Sequence, residues 1–222
     1  MAKRIPVALA TVLVSMFAAF PAIGQPSNPP AAAGVDLKAR LTEAEKNPRQ
    51  LELNIKAGSK VATFCANCHG DGGNSVKPDV PNLAGQNASY LLEQMRQFSD
   101  GRRHTSEFKQ RLIKILSPDE KVSLNIFYSR QDVIYKPSAD HALVMKGKVL
   151  YSNNCADCHD DDGRGTEKYA RVAGQQTGYL TLSLKGYRNG SHARTNHQMA
   201  DSVRDMTDAD IAAVVAYVSS MK

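Results

Sequence analysis

Tryptophan is absent from the 222 residues, and aromatic residues make up only 6% of them. Large rings supply much of the buried area of an ordinary core, so a fold of this size needs apolar mass from another source. Cysteine occurs four times and never outside two short motifs. That leaves no separate disulfide framework and no spare thiol to act as a further ligand. No stretch alternates apolar and polar residues in the manner of a half-buried strand, which argues against a β-rich architecture. The formal charge is +6, yet no compact run of Lys and Arg accompanies it, so nucleic acid is not an expected partner. The long apolar run near the start, residues 5–20, is broken by Pro6 and Ser15 and falls short of the roughly 20 residues that span a bilayer.

That run reads instead as an export signal. Lys3 and Arg4 precede it, and Ala22-Ile23-Gly24 offer small residues for cleavage, so residues 1–24 are expected to leave and Gln25 to become the mature N-terminus. Removing Lys3 and Arg4 lowers the formal charge from +6 to +4. Residues 25–50 begin rich in Pro and Ala and read as a flexible lead-in. A short helix is expected there over Leu37 to Lys46, stopped before Pro48.

The four cysteines lie in Cys65-Ala66-Asn67-Cys68-His69 and Cys155-Ala156-Asp157-Cys158-His159. In Cys-x-x-Cys-His the two thiols add to the vinyl groups of a haem and the adjacent histidine ligates its iron. The spacing sets both sulfurs on one edge of the porphyrin and aims the histidine at the metal from the same side. Two motifs therefore predict two covalently attached haem c groups, one on Cys65 and Cys68 and one on Cys155 and Cys158. His69 and His159 are the expected axial iron ligands, each with its Nδ1 held by a backbone carbonyl. A dithiol redox pair and a zinc site are the competing readings. The first lacks βαβ patterning, and the second needs pairs that lie in separate units of the chain. A porphyrin also supplies the apolar mass that the aromatics do not.

The chain repeats itself at a period near 90. Ala-Gly-Gln-x-x-x-Tyr-Leu occurs at residues 84–91 and again at 173–180. Phe98-Ser99-Asp100-Gly101 is echoed by Tyr187-Arg188-Asn189-Gly190, and Ser117-Pro118-Asp119-Glu120 by Thr207-Asp208-Ala209-Asp210. So long a repeat implies two similar domains rather than a solenoid, here residues 51–134 and 135–222, with a hinge near Lys136-Pro137-Ser138-Ala139. The coarse pattern in each is helical. One helix leads into the haem motif, roughly Ile55 to Ala66 and Ala142 to Ala156. Another follows Ala-Gly-Gln, and a last one is capped by Ser117 or Thr207. Ile211, Val214, Val215 and Val218 form one apolar stripe on that last helix. The expected fold class is all-α.

These residues carry a resemblance to a known family. Cys65 to Ser75, Pro81-Asn82-Leu83-Ala84-Gly85-Gln86, the aromatic-x-x-Gly landmark and the Ser/Thr-x-Asp/Glu start of the last helix are similar to those of dihaem class I cytochromes of the cytochrome c4 family. The likeness covers most of residues 55–222, and extends to the small dihaem electron-acceptor subunits of periplasmic thiosulfate dehydrogenases. It implies two tandem class I cytochrome c domains, each wrapped around one covalent haem, and electron transfer in the periplasm. It also implies an axial methionine about eight residues before the cap of the last helix. In the second half that residue is Met199, an apt soft ligand, while Met206 and Met95 read as core. In the first half the same count lands on Lys109. His104 is the alternative donor, and an open site is a third possibility. The second half departs again at Ala170-Arg171-Val172, where the pattern has proline. Arg171 there is a candidate partner for a haem propionate. His141, His192 and His197 are expected in surface or loop roles, and Asp160-Asp161-Asp162 as a solvated loop.

The function implied is a periplasmic electron carrier, not an enzyme, between a periplasmic donor enzyme and an oxidase-side acceptor, with possible association with a membrane complex. The alternatives are a dihaem redox enzyme of peroxidase or thiosulfate dehydrogenase type, or a tightly bound electron-transfer subunit of one.

Overall fold

The computed structural model describes residues 36–136, 140–191 and 196–222. The export signal, the start of the lead-in, most of the expected hinge and His192 lie outside the described residues. The first half builds five α-helices: α1 (Leu37–Lys46), α2 (Pro48–His69), α3 (Ala88–Asp100), α4 (Glu107–Ile115) and α5 (Pro118–Ser129). The second builds five more: α6 (His141–Asn154), α7 (Ala156–His159), α8 (Thr177–Arg188), α9 (His197–Val203) and α10 (Asp208–Ser220). No strand forms among the described residues. Both halves belong to one compact unit, Val35–Lys222.

Each half is framed by a close helix crossing. A Cβ on Gly58 of α2 would stand 2.1 Å from the Ser123 carbonyl oxygen of α5. One on Gly147 of α6 would stand 2.0 Å from the Ala213 carbonyl oxygen of α10. Only glycine lets the backbones approach so closely. The crossing pins the first helix of each half, and so fixes where its C-terminal end delivers the haem motif.

The expected caps form. Ser117 Oγ accepts from the Glu120 amide at 3.2 Å while Glu120 accepts from the Ser117 amide at 2.8 Å. Thr207 and Asp210 make the same reciprocal pair at 3.2 and 3.0 Å. The apolar stripe Ile211, Val214, Val215 and Val218 is buried.

Three features depart from the sequence expectation. Asn47 accepts from the Arg49 and Gln50 amides, so Pro48 both stops α1 and starts α2, which therefore begins well before Ile55. Helix α1 is no loose tether: Leu41 is fully buried in a cluster with Leu92, Val122 and Ile126. Helices α4 and α9 have no counterpart in the sequence expectation: at nine and seven residues they are shorter than the window over which helical periodicity is read, and each buries a single residue, Ile113 or Val203.

Candidate haem sites

Helix α2 runs unbroken through Cys65 and Cys68 to His69, and Gly70 ends it at φ 75°. In the second half Cys155 interrupts the helix, and the short α7 carries Cys158 and His159. Asp160 then sits at φ 62° and ψ 161°, a region that belongs to glycine. No disulfide joins the four thiols. Burial raises the Cys65 pKa and pushes that of Cys155 up to about 12, so neither is poised as a reactive thiolate.

The histidines are held alike. His69 Nδ1 lies 2.9 Å from the Pro81 carbonyl oxygen, and His159 Nδ1 lies 2.8 Å from that of Ala170. Proline is thus dispensable to the arrangement, since any residue supplies a carbonyl. Each contact commits Nδ1 as donor and so makes Nε2 the nitrogen that carries the lone pair. Burial, only partly offset by the Pro81 carbonyl and reinforced by Lys109 and Arg103, lowers the His69 pKa to about 4. The ring is neutral at pH 7, as a ligand must be.

Both motifs open into one cavity of ≈ 570 Å³ that runs across the seam between the halves. Its wall includes both Cys pairs, both histidines, Leu91, Leu124, Leu180, Val203 and Val214. An apolar cavity with two thiols and a committed imidazole at either end fits two covalently held haems. Among the described residues no group of three or more His, Cys, Asp or Glu side chains is placed to hold a bare metal ion, so the zinc reading finds no support.

The distal candidates separate. Met199 lines the cavity, on the first turn of α9, where Asn196 accepts from its amide at 3.0 Å. Lys109 lines it too, with Nζ 4.1 Å from the Phe98 ring centroid. Burial, then the nearby Arg103 cation, lowers the Lys109 pKa to about 8. His104 is exposed and forms no part of the wall. Met95 touches the cavity, but its sulfur accepts from Asn125 Nδ2 at 3.6 Å. Met206 is buried in the second core. His141, His197 and the run Asp160 to Asp162 are exposed.

The seam itself was not read from the sequence. The Asn82 amide donates to Gln175 Oε1 at 2.6 Å, and Gln175 Nε2 returns a bond to the Asn82 carbonyl at 3.1 Å. Reciprocally, the Arg171 amide donates to Gln86 Oε1 at 2.7 Å, and Gln86 Nε2 to the Arg171 carbonyl at 2.8 Å. Asn82 and Arg171 are one position of the repeat, and Gln86 and Gln175 another. The pairing is therefore isologous, as between subunits of a symmetric dimer. The repeated Ala-Gly-Gln was the available signal. Arg171 also donates to the Tyr135 hydroxyl at 2.9 Å, while its buried Nε has no acceptor among the described residues. That spare donor on the cavity wall suits a propionate.

Thiols, imidazoles and a shared apolar cavity define a c-type cytochrome with two covalently attached haems. Comparison with known proteins gives the lineage. The cytochrome c family model matches twice, at residues 55–124 and 144–222. Cytochrome c4 of Pseudomonas aeruginosa is 31% identical over 179 residues, 74% of this chain and 87% of that one. A thiosulfate dehydrogenase electron acceptor of Thiomonas intermedia is 28% identical over 177 residues, 74% of this chain and 81% of that one. The crystal structure of reduced recombinant cytochrome c4 from Pseudomonas stutzeri superposes with a TM-score of 0.67 at 25% identity, covering 75% of this chain and 98% of that one. The chain belongs to the cytochrome c family, in its dihaem cytochrome c4 branch, and is an electron-transfer protein.

Proposed function

We propose that this is a periplasmic carrier between a periplasmic oxidoreductase, of which a thiosulfate dehydrogenase is one candidate, and an oxidase-side acceptor, and that electrons enter through its first half and leave through its second. When bound, each haem supplies reversible one-electron chemistry. The chain supplies the rest: four thiols for attachment, two oriented imidazoles, and an apolar wall that keeps water from the metals.

One observation carries the reading. The register position eight before the last cap holds Lys109 in one half and Met199 in the other, and both side chains line the cavity. We assign Met199 as axial ligand in the second half and Lys109, in its neutral form, in the first. His104 is set aside because it is exposed and forms no part of the wall. A thioether raises the potential, and an amine donor lacks that preference for ferrous iron. The first half is then the lower-potential site, and electrons run from it to the second. The export signal expected over residues 1–24 supports the location, and so does the likeness to cytochromes c4 and thiosulfate dehydrogenase electron acceptors.

Potentiometric titration of the holoprotein tests this. Two waves are expected, with Lys109→Met raising the lower and leaving the upper in place. A single wave would remove the proposed direction. Intact mass of exported material should give a chain starting at Gln25 plus two haems.

A further inference from the structure

We infer that the outer face of α4 is a docking surface for an acidic redox protein, and that only the first half carries it. The inference rests on the reading above solely in naming that protein as the electron donor.

Phe108 and Ile115 are 75% and 76% exposed, and Leu112 between them is half-buried. Spaced i, i+4 and i+7, they share one face of the helix. Phe108 and Leu112 also line the haem cavity beside Cys65, whereas Ile115 is no part of its wall. The face therefore begins at the cavity mouth and extends away from it. Two cations flank it. Lys114 is exposed with no carboxylate partner among the described residues, and Arg111 is exposed and pairs only with Glu107 one turn back.

The second half is a built-in control. The register that matches Lys109 with Met199 sets Gln198, Ser202 and Asp205 where the first half has Phe108, Leu112 and Ile115. It also sets Asp201 at the position of Arg111, and at that of Lys114 it sets Arg204, whose charge Asp201 pairs. The inward residue keeps its character, Ile113 against Val203, both buried. Internal packing thus asks the same of both helices, and only the outer face differs. An apolar patch at a redox centre, rimmed by charge, has the anatomy of a transient interface. The rim selects the partner's sign and speeds encounter. Residues 36–136 hold sixteen Lys and Arg against twelve Asp and Glu, while residues 140–222 hold ten of each. The complementary partner is acidic.

Reduced flavodoxin, an acidic one-electron donor, is the probe, mixed in stopped flow with oxidised holoprotein at low ionic strength. Ile115→Ser with Lys114→Glu is expected to lower the second-order rate constant about tenfold and to flatten its salt dependence. Haem content and both potentials should stay unchanged. The matched α9 variant, Arg204→Glu with Asp205→Ser, is expected to stay within about twofold of wild type. Equal rate constants for wild type and the α4 variant would overturn the inference, as would an equal loss in the α9 variant. So would a wild-type dimer in sedimentation that Ile115→Ser dissolves, because the face would then belong to a second copy. The order in which the two haems are reduced reports separately on the direction of flow. A slowed α4 variant whose second half fills first keeps the surface and removes the direction.

Discussion

The two halves share a helix crossing but fill the space beside it in opposite ways. In the first, Ala62 of α2 clusters with Tyr128 of α5. In the second, Tyr151 of α6 clusters with Val218 of α10. Counted from Gly58 and Gly147, Ala62 and Tyr151 are one position; counted from Ser117 and Thr207, Tyr128 and Val218 are another. The ring has changed helices while the combined volume is roughly kept, which is the kind of exchange a core tolerates. The exchange has a local consequence. Tyr151 donates to the Asp160 carbonyl at 2.6 Å, directly beyond the haem motif, whereas the buried Tyr128 hydroxyl lies beside the Cys65 thiol within the motif. A second contrast lies on the outside. Leu41 covers Leu92, Val122 and Ile126 in the first half, and the matching positions of the second half are Thr181, Ala212 and Ala216. A helix cap is needed only where large apolar side chains would otherwise face water. The frame is thus set by volume and burial, and the halves differ in which helix carries the ring and in whether a further helix covers the outside.

The comparison breaks most completely when one motif is removed. Cys65→Ala with Cys68→Ala should yield a product lighter by one haem, with half the haem absorbance and reduced helicity, because the first half loses the centre of its core. Mass spectrometry and circular dichroism read both. The matching pair in the second half should give the mirror result.

The ring exchange gives the next largest effect. Tyr151→Ala should cost about 3–5 kcal/mol, and Val218→Tyr alone should overpack by about 1–3 kcal/mol. Together they rebuild the first half's arrangement in the second, so denaturant titration of the double variant should recover most of the summed loss. Strict additivity would mean that the two positions do not share one space.

Asp160 offers a gain. It occupies backbone space suited to glycine, and its counterpart Gly70 has φ 75°. Asp160→Gly should stabilise the second half by about 1–3 kcal/mol, read as a later thermal transition. No gain would mean that the Tyr151 contact already offsets the strain.

The smallest effect is in acid. Lys146, first, and then Thr207 hold the Asp210 carboxyl well below the usual carboxylate range, at about 2. A depressed carboxyl contributes stability that is fully present above its unfolded pKa and is lost as pH falls through the folded one. The advantage of wild type over Asp210→Asn should therefore shrink between about pH 4 and 2. A pH-independent difference in acid unfolding would assign it to something other than this charge.

Much of this was legible in the sequence because it repeats. The motif pairs, the caps at Ser117 and Thr207 and the stripe on α10 each follow from a local rule. The α4 and α9 helices did not, since nine and seven residues are fewer than the window in which a helical period can be told from chance. The seam bonds of Asn82, Gln86, Arg171 and Gln175 were hidden for another reason. Amides that bond across 85 to 93 residues carry no pattern of their own until the halves are laid together. In the chain, register favoured Lys109 and left His104 or an open site as alternatives; in the structure, of the two side chains, Lys109 lines the cavity and His104 is exposed.

The account turns on unlike sixth ligands at the two irons. Near-infrared magnetic circular dichroism of the oxidised holoprotein tests that most directly. The expected spectrum combines a histidine–thioether signature with one from two nitrogen donors, and Lys109→Ala removes only the second. Two histidine–thioether signatures, or a spectrum that Lys109→Ala leaves untouched, would contradict it.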